Sequence, residues 1–135
     1  MNKMALFIKT PVPMLQDDKL EPDMGLLYCA SYVKRYSECT PVYVDLSLDS
    51  VDVLEQYYDV CSIYLFSTFT ANYERTCELV KMIRERCIPE AVFIAGGHHA
   101  SALPDVVAQT FDYVIIGEGE IAESKLITEL LSGRR

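Results

Sequence analysis

No apolar run in this sequence approaches the ~20 residues that a membrane-spanning helix requires. The first residues do not form a basic region followed by a long apolar stretch either. A soluble, cytoplasmic protein is therefore expected. Positive charge is scarce: 12 Lys and Arg stand against 20 Asp and Glu, for a net charge of −8. Binding nucleic acid needs a basic face to meet phosphate, so no nucleic-acid partner is expected. The acidic balance alone names no other partner. Neither CxxC nor CxxxCxxC occurs, so no zinc or iron–sulfur site is expected within the chain. Phosphate-cradling loops are missing too: no GxGxxG follows the first apolar run, and no GxxxxGKS/T appears anywhere. The five cysteines, at 29, 39, 61, 77 and 87, are odd in number and accompanied by no secretory signal. That usage suits a reduced, intracellular chain. Cys29, Cys61, Cys77 and Cys87 fall in or beside apolar patterns and read as small buried hydrophobes.

What is present is a core and an alternation. Half of the 135 residues are hydrophobic, enough for one core, and residues 1–135 read as a single domain. No internal repeat, low-complexity segment or interior linker interrupts it. Strands are expected at Met4–Ile8, Val42–Val44, Val60–Phe66, Ala91–Ala95 and Tyr113–Ile116, each a short apolar run. Between them lie helical patterns. Asp23 can cap a helix over Met24–Tyr36, where Leu26, Leu27, Ala30 and Val33 recur at helical spacing. Ser50 or Asp49 can cap a short helix through Tyr57. Ala71–Arg86 places Leu79, Val80, Ile83 and Cys87 on one face, and Pro89 ends it. Pro104 opens a segment through about Gln109, since proline is tolerated in a first turn. Ile121–Leu131 closes the chain, with Leu126, Ile127, Leu130 and Leu131 facing inward. Near-continuous apolar strands alternating with crossover helices imply an α/β fold with a parallel sheet covered on both faces. With five strands, the right-handed crossover rule favours a flavodoxin-like, Rossmann-like sheet of order 2-1-3-4-5.

In such a sheet, ligands bind at the carboxyl ends of the strands. The sequence places informative residues there. A long loop, Lys9–Pro22, follows the first strand and exceeds the usual ~2–6 residues. Ser67-Thr68-Phe69-Thr70 follows the third strand. Gly96-Gly97-His98-His99-Ala100-Ser101 follows the fourth, and Gly117-Glu118-Gly119-Glu120 the fifth. Gly96 and Gly97 allow close backbone approach or a positive φ. This collection of hydroxyls, glycines, aromatics and carboxylates suggests a large, neutral or mildly polar ligand contacted by backbone. Gly117–Glu120 is a poor phosphate cradle because its carboxylates would repel an anion. Glu118 and Glu120 read more simply as acids favoured at a helix N-terminus.

Taken in order, these motifs resemble the cobalamin-binding domain of the cobalamin-dependent radical S-adenosylmethionine enzymes. The carrying residues are Ile94-Ala95-Gly96-Gly97-His98-His99-Ala100-Ser101-Ala102-Leu103-Pro104, then Phe111-Asp112-Tyr113-Val114-Ile115-Ile116-Gly117-Glu118-Gly119-Glu120. Pro22–Tyr32, Val42–Asp45 and Ser67–Thr70 agree with the family's earlier motifs, so the match spans nearly the whole chain. The resemblance implies a corrinoid held over the carboxyl ends of the strands. Ser67, Thr68 and Thr70 would line the pocket for its nucleotide tail, Gly96 and Gly97 would give it room, and His99, Ser101, Gly117 and Glu118 would stand on the same rim. The D-x-H-x-x-G motif, which supplies a histidine to cobalt in methionine synthase-like relatives, is absent, as it generally is in the radical enzymes.

The chain departs from the family in two ways. His98 stands where proline is usual, and the radical domain with its CxxxCxxC is missing. By resemblance, then, the chain is not catalytic alone. It would be a module that presents cobalamin to a radical S-adenosylmethionine domain or protein in trans, for methyl transfer or related radical chemistry. Self-association as a homodimer is a further expectation, from apolar helix faces that would otherwise pack on a missing domain. His98 and His99 admit a cobalt contact. They also admit a loop-ordering role for His99 and a surface position for His98, the stronger readings, and both ligating one metal is not expected because adjacent histidines seldom point the same way. Three alternatives stand beside the module reading: a cofactor-free interaction or regulatory domain, the small subunit of a cobalamin-dependent mutase, and a flavin-binding flavodoxin. The missing D-x-H-x-x-G counts against the second, and the prolines and acids of the first loop count against the third.

Overall fold

The computed structural model describes residues 3–11, 23–117 and 120–131, with only the backbone for Glu120. Five strands, β1 (Met4–Lys9), β2 (Thr40–Asp45), β3 (Ile63–Ser67), β4 (Val92–Gly96) and β5 (Tyr113–Val114), form one sheet in the order β2-β1-β3-β4-β5. Every pairing is parallel. The expected topology is therefore the observed one. The helices are α1 (Met24–Tyr36), α2 (Tyr73–Arg84), α3 (His98–Ala102), α4 (Pro104–Val107) and α5 (Glu120–Leu131), with 3-10 turns at Val51–Tyr57 and Thr70–Asn72.

The period of two along the strands divides the core. Ala5, Phe7, Ile63, Leu65, Val92 and Ile94 point to one face, where Leu26, Ala30 and Val33 of α1 and Ile127 and Leu130 of α5 cover them. Leu6, Ile8, Tyr64, Phe66, Phe93 and Ala95 point to the other, under Leu54, Leu79, Val80, Ile83 and Val107. Tyr64 stacks on Phe93 with ring centroids 5.0 Å apart. Burying each large apolar side chain contributes about 1.5–3 kcal/mol, and this drives the two-sided closure. α1 starts where expected. Asp23 Oδ1 accepts from the Leu26 N–H at 3.1 Å, and the Tyr43 hydroxyl accepts from the Asp23 N–H at 2.9 Å, tying the cap to β2. Ser50 caps the Val51–Tyr57 turn through the Asp52 N–H.

Several boundaries differ from the sequence expectation. β3 begins at Ile63, not Val60, because the Val60 and Cys61 N–H groups both donate to Tyr57 O and finish the preceding turn. The helix expected over Ala71–Arg86 is a 3-10 turn followed by α2. Asn72 Oδ1 accepts from the Phe69 N–H at 2.9 Å and holds that tighter turn. The segment opened by Pro104 is helical only through Val107, and β5 stops at Val114, although the Ile115 N–H still donates to Ala95 O at 2.8 Å. Cys29 and Cys61 are buried, whereas Cys77 and Cys87 are only half-buried. Among the described residues, no helix is long and apolar enough to cross a membrane.

Candidate functional site

The carboxyl ends of β3 and β4 are joined more tightly than parallel pairing requires. The Thr68 N–H donates to Gly96 O at 2.7 Å, which extends the β3–β4 ladder by one rung. The Thr68 hydroxyl also donates to Gly96 O, at 2.7 Å, and accepts from the Ala100 N–H at 3.0 Å. The His99 N–H donates to Thr68 O at 2.9 Å. Thr68 is fully buried, so it works as a clasp between the two loops. The same bonds explain why Gly96–Ser101, read from sequence as an open loop, winds into the short helix α3. Two N–H groups of its first turn are satisfied by Thr68, 30 residues upstream of His98.

Gly97 makes the chain reversal possible. Its φ is +93° and its ψ −176°, a conformation essentially reserved for glycine. A Cβ there would lie 2.7 Å from Thr68 O, 2.8 Å from Thr68 N and 2.9 Å from Ser67 Oγ. The space beside Gly97 is thus filled by the neighbouring loop. Gly96 differs: among the described residues, a Cβ there would meet only Glu123 Oε1, at 3.4 Å.

Beside this junction, on the α1–α5 face, lies a cavity of about 470 Å³. Such a volume suits a small-molecule group. Phe66 and Ser67 come from the end of β3, and Gly96, Gly97, His98 and Ser101 from the end of β4 and from α3. Gly25, Leu26 and Cys29 come from α1, Ile115 and Gly117 from beyond β5, and Glu123 from α5. The Ser101 hydroxyl accepts from the Gly117 N–H at 3.0 Å and closes one side. Gly117 is also at positive φ (+81°), and among the described residues nothing lies within 4 Å of a Cβ built there.

The structure therefore gathers Ser67, Gly96, Gly97, Ser101 and Gly117 around one cavity. Thr68 lies behind its wall. Thr70 and His99 face a different, shallower groove along α2, with Tyr73, Glu74 and Lys81. His99 is buried there. Its Nδ1 lies 3.1 Å from Thr70 Oγ1, and its ring sits 4.3 Å from that of Tyr73. Exposed His98 turns the other way, toward the cavity rim, 5.7 Å from the Phe69 ring. The two adjacent histidines thus belong to different surfaces. Glu118 lies outside the described residues.

Sequence reading did not pick out Gly25, Leu26, Cys29, Ile115 or Glu123 as site residues. A signal for Glu123 was available: four and seven residues before Ile127 and Leu130, it occupies the inward stripe of α5, where a carboxylate is out of place. It is only 4% exposed.

The B12 binding domain family matches residues 17–127. No curated protein matches the sequence. Among solved structures, the radical S-adenosylmethionine methyltransferase TsrM of Kitasatospora setae, with cobalamin and a 4Fe-4S cluster bound, superposes with a TM-score of 0.79. The identity is 16%, over 100% of this chain and 26% of that one. A second TsrM structure, with its tryptophan substrate and an S-adenosylmethionine analogue, gives a TM-score of 0.77 at 16% identity, over 98% of this chain and 26% of that one. The N-terminal domain of the hypothetical protein TM0182 of Thermotoga maritima gives 0.60 at 22% identity, covering 87% of this chain and 91% of that one. The chain thus spans about a quarter of the length of the TsrM chains it resembles. The family match over most of the sequence agrees with the motif order in Ser67–Thr70, Gly96–Ser101 and Gly117–Glu120, and the parallel 2-1-3-4-5 sheet is the fold those motifs imply. The chain belongs to the B12-binding domain family, as a flavodoxin-like cobalamin-binding module.

Proposed function

We propose that this module holds a corrinoid by inserting its nucleotide tail into the cavity beside β3 and β4, and presents the corrin ring to a radical S-adenosylmethionine domain or protein. The observation that carries the reading is the cavity itself. It lies at the carboxyl edge of the sheet, where this fold class binds ligands. It has about the volume of a small-molecule site, with inner walls of Leu26, Cys29 and Ile115. Its rim carries the hydroxyls of Ser67 and Ser101. An aromatic base suits such walls, and ribose and phosphate oxygens suit such a rim. The absence of a side chain at Gly96 keeps the cavity open next to Glu123.

When bound, cobalamin would supply the methyl-carrying cobalt chemistry. The residues of this chain bind and orient. Ser67, Gly96, Gly97, Ser101 and Gly117 form the pocket, while Thr68 and His99 brace the loops that carry them. Glu118 would stand on the rim by family resemblance. The chain carries no D-x-H-x-x-G and no CxxxCxxC. TsrM, by contrast, holds a 4Fe-4S cluster in a chain nearly four times as long. These two facts support a division of labour in which radical chemistry, methyl transfer included, resides in a partner domain.

The test is titration of the purified protein with hydroxocobalamin and methylcobalamin, then visible absorbance after desalting. Stoichiometric retention with a spectrum shifted from the free corrinoid is expected. A protein that circular dichroism shows to be folded, yet that retains no corrinoid, would overturn the proposal.

A further inference from the structure

Among the described residues, no lysine or arginine lines the cavity. Leu26, Cys29 and Ile115 are buried in its interior beside Glu123, whereas His98 and Gly117 are exposed at its mouth. The His98 ring lies 5.7 Å from that of Phe69, tilted by 43°. Phe69 is itself anchored: it is half-buried, and its N–H donates to Asn72 Oδ1 at 2.9 Å. Among the described residues, no hydrogen bond occupies the ring nitrogens of His98. The adjacent His99 supplies the contrast. It is buried, with Nδ1 3.1 Å from Thr70 Oγ1 and its ring 4.3 Å from that of Tyr73, on a different groove. One histidine thus belongs to the fold, and the other brings polar atoms to the cavity mouth.

The tail of a corrinoid runs from the ring through a phosphodiester and a ribose to an aromatic base. The base is the apolar end and suits the interior. The phosphodiester is an anion, and taking it out of water without partners is costly. It therefore stays at the mouth, where water and donors are within reach. With no lysine or arginine among the described lining residues, its partners there are hydroxyls and His98. A neutral imidazole carries one N–H donor and a charged one carries two. Donation by His98 thus does not depend on its protonation state. A hydrogen bond to a charged acceptor is also about twice as strong as one between neutral groups.

Resting on the cobalamin-module reading, we propose that His98 anchors the phosphodiester of the corrinoid tail: a ring N–H donates to a phosphate oxygen at the cavity mouth, and the Phe69 ring holds the imidazole in place. The geometry favours phosphate over cobalt as the contact. His98 lines the cavity that takes the tail, whereas the cobalt lies at the centre of a ring that stays outside it.

The experiment is equilibrium dialysis of the purified chain against hydroxocobalamin, read by corrin absorbance, for wild type, His98→Gln and His98→Phe. Glutamine keeps an N–H donor and loses the ring. Phenylalanine keeps a ring against Phe69 and loses the donor. The position is exposed, so both variants should fold, and circular dichroism checks that they do. Phosphorus-31 NMR of the bound corrinoid reads the phosphodiester directly. His98→Phe is expected to bind about tenfold or more weakly, the scale of a lost hydrogen bond to a charged group. His98→Gln is expected to stay within about threefold of wild type. The bound phosphorus resonance should move in His98→Phe relative to wild type, and less in His98→Gln. Wild-type affinity in His98→Phe would overturn the proposal and leave the module reading intact. So would a His98→Gln protein that binds no tighter than His98→Phe, because that order marks packing of the ring or a need for imidazole itself. An unmoved phosphorus resonance in His98→Phe would overturn it too, since His98 would then touch another part of the ligand. A visible spectrum of the bound corrinoid that changes in both variants would mark a lost cobalt ligand, again against the proposal. Folded wild-type protein that binds no hydroxocobalamin would overturn the module reading and this inference together.

Discussion

Among the described residues, three glycines from β4 onward line the cavity, and each has a different reason to be glycine. Alanine substitutions should therefore separate them. At Gly97 two costs add. The backbone at φ +93° and ψ −176° is hostile to any Cβ, a strain of about 1–3 kcal/mol. The new methyl would also lie under 3.0 Å from Thr68 O, Thr68 N and Ser67 Oγ. Two of those atoms are backbone, held by the Thr68–Gly96 and His99–Thr68 hydrogen bonds of 2.7 and 2.9 Å, so they cannot give way without breaking the clasp. Overpacking of this kind adds about 1–3 kcal/mol. Gly97→Ala should therefore lose about 2–6 kcal/mol, much of the ~5–15 kcal/mol that stabilises a typical domain. Gly117→Ala meets none of the described residues, so it should lose only the conformational part, about 1–3 kcal/mol. Gly96→Ala has ordinary backbone and one contact at 3.4 Å with a side-chain oxygen. It should cost little, and a Cβ within a strand even returns about 0.5 kcal/mol. Its methyl would enter the cavity, so corrinoid retention should fall while stability holds. Urea unfolding followed by circular dichroism measures the series. A Gly97→Ala protein no less stable than Gly117→Ala would refute the account of the clasp.

Two further perturbations test other parts of the structure. Lys9 and Asp45, 8% and 7% exposed at the side chain, pair at 3.7 Å across the β1–β2 edge, and Ser47 joins both. Lys9→Met should destabilise by about 3–5 kcal/mol, because the buried Asp45 carboxylate would keep its hydrogen bonds from Ser47 but lose its counter-charge. Adding Asp45→Asn should recover part of that loss in urea melts, and a double variant no more stable than Lys9→Met would sink the argument. Burial pushes the Cys61 thiol up to about 12 and the Cys39 thiol up to about 11 from an ordinary value of 9.0. The sign follows: the folded state favours the neutral thiols, so their contribution is intact below about pH 9 and is lost as pH rises through the folded values. The urea midpoint should hold between about pH 7 and 8.5 and fall steadily above about 9, and a midpoint flat to about pH 10.5 would contradict it.

The parts of this molecule legible in its sequence depend on local signals. Asp23 and Ser50 were readable as caps because a cap bonds two or three residues ahead. The strands were readable because a sheet covered on both faces needs continuous apolar runs. The glycines were readable as special, but not in their separate roles, since those depend on what approaches from elsewhere: Thr68 for Gly97, Glu123 for Gly96, none of the described residues for Gly117. α3 was misread as an open loop for the same reason. His-His-Ala-Ser is no strong helix sequence, and the groups that satisfy its first turn belong to Thr68. Val60 was misplaced because apolar composition does not show where a turn ends and a strand begins.

The site follows the same division. Ser67, Gly96, Gly97, Ser101 and Gly117 sit where strand ends put them, and strand ends are visible in sequence. The opposite wall, Leu26, Cys29 and Glu123, comes from two helices whose inward faces serve both core and cavity. On such a face leucine and cysteine look like ordinary core residues, and only a charge breaks the pattern. That makes Glu123 the informative residue. Its place on α5 follows from helical spacing, four residues before Ile127 and seven before Leu130, so the helix wall of the cavity is legible in sequence only where a polar residue interrupts the apolar stripe, whereas the strand-end wall is legible from its own glycines and hydroxyls.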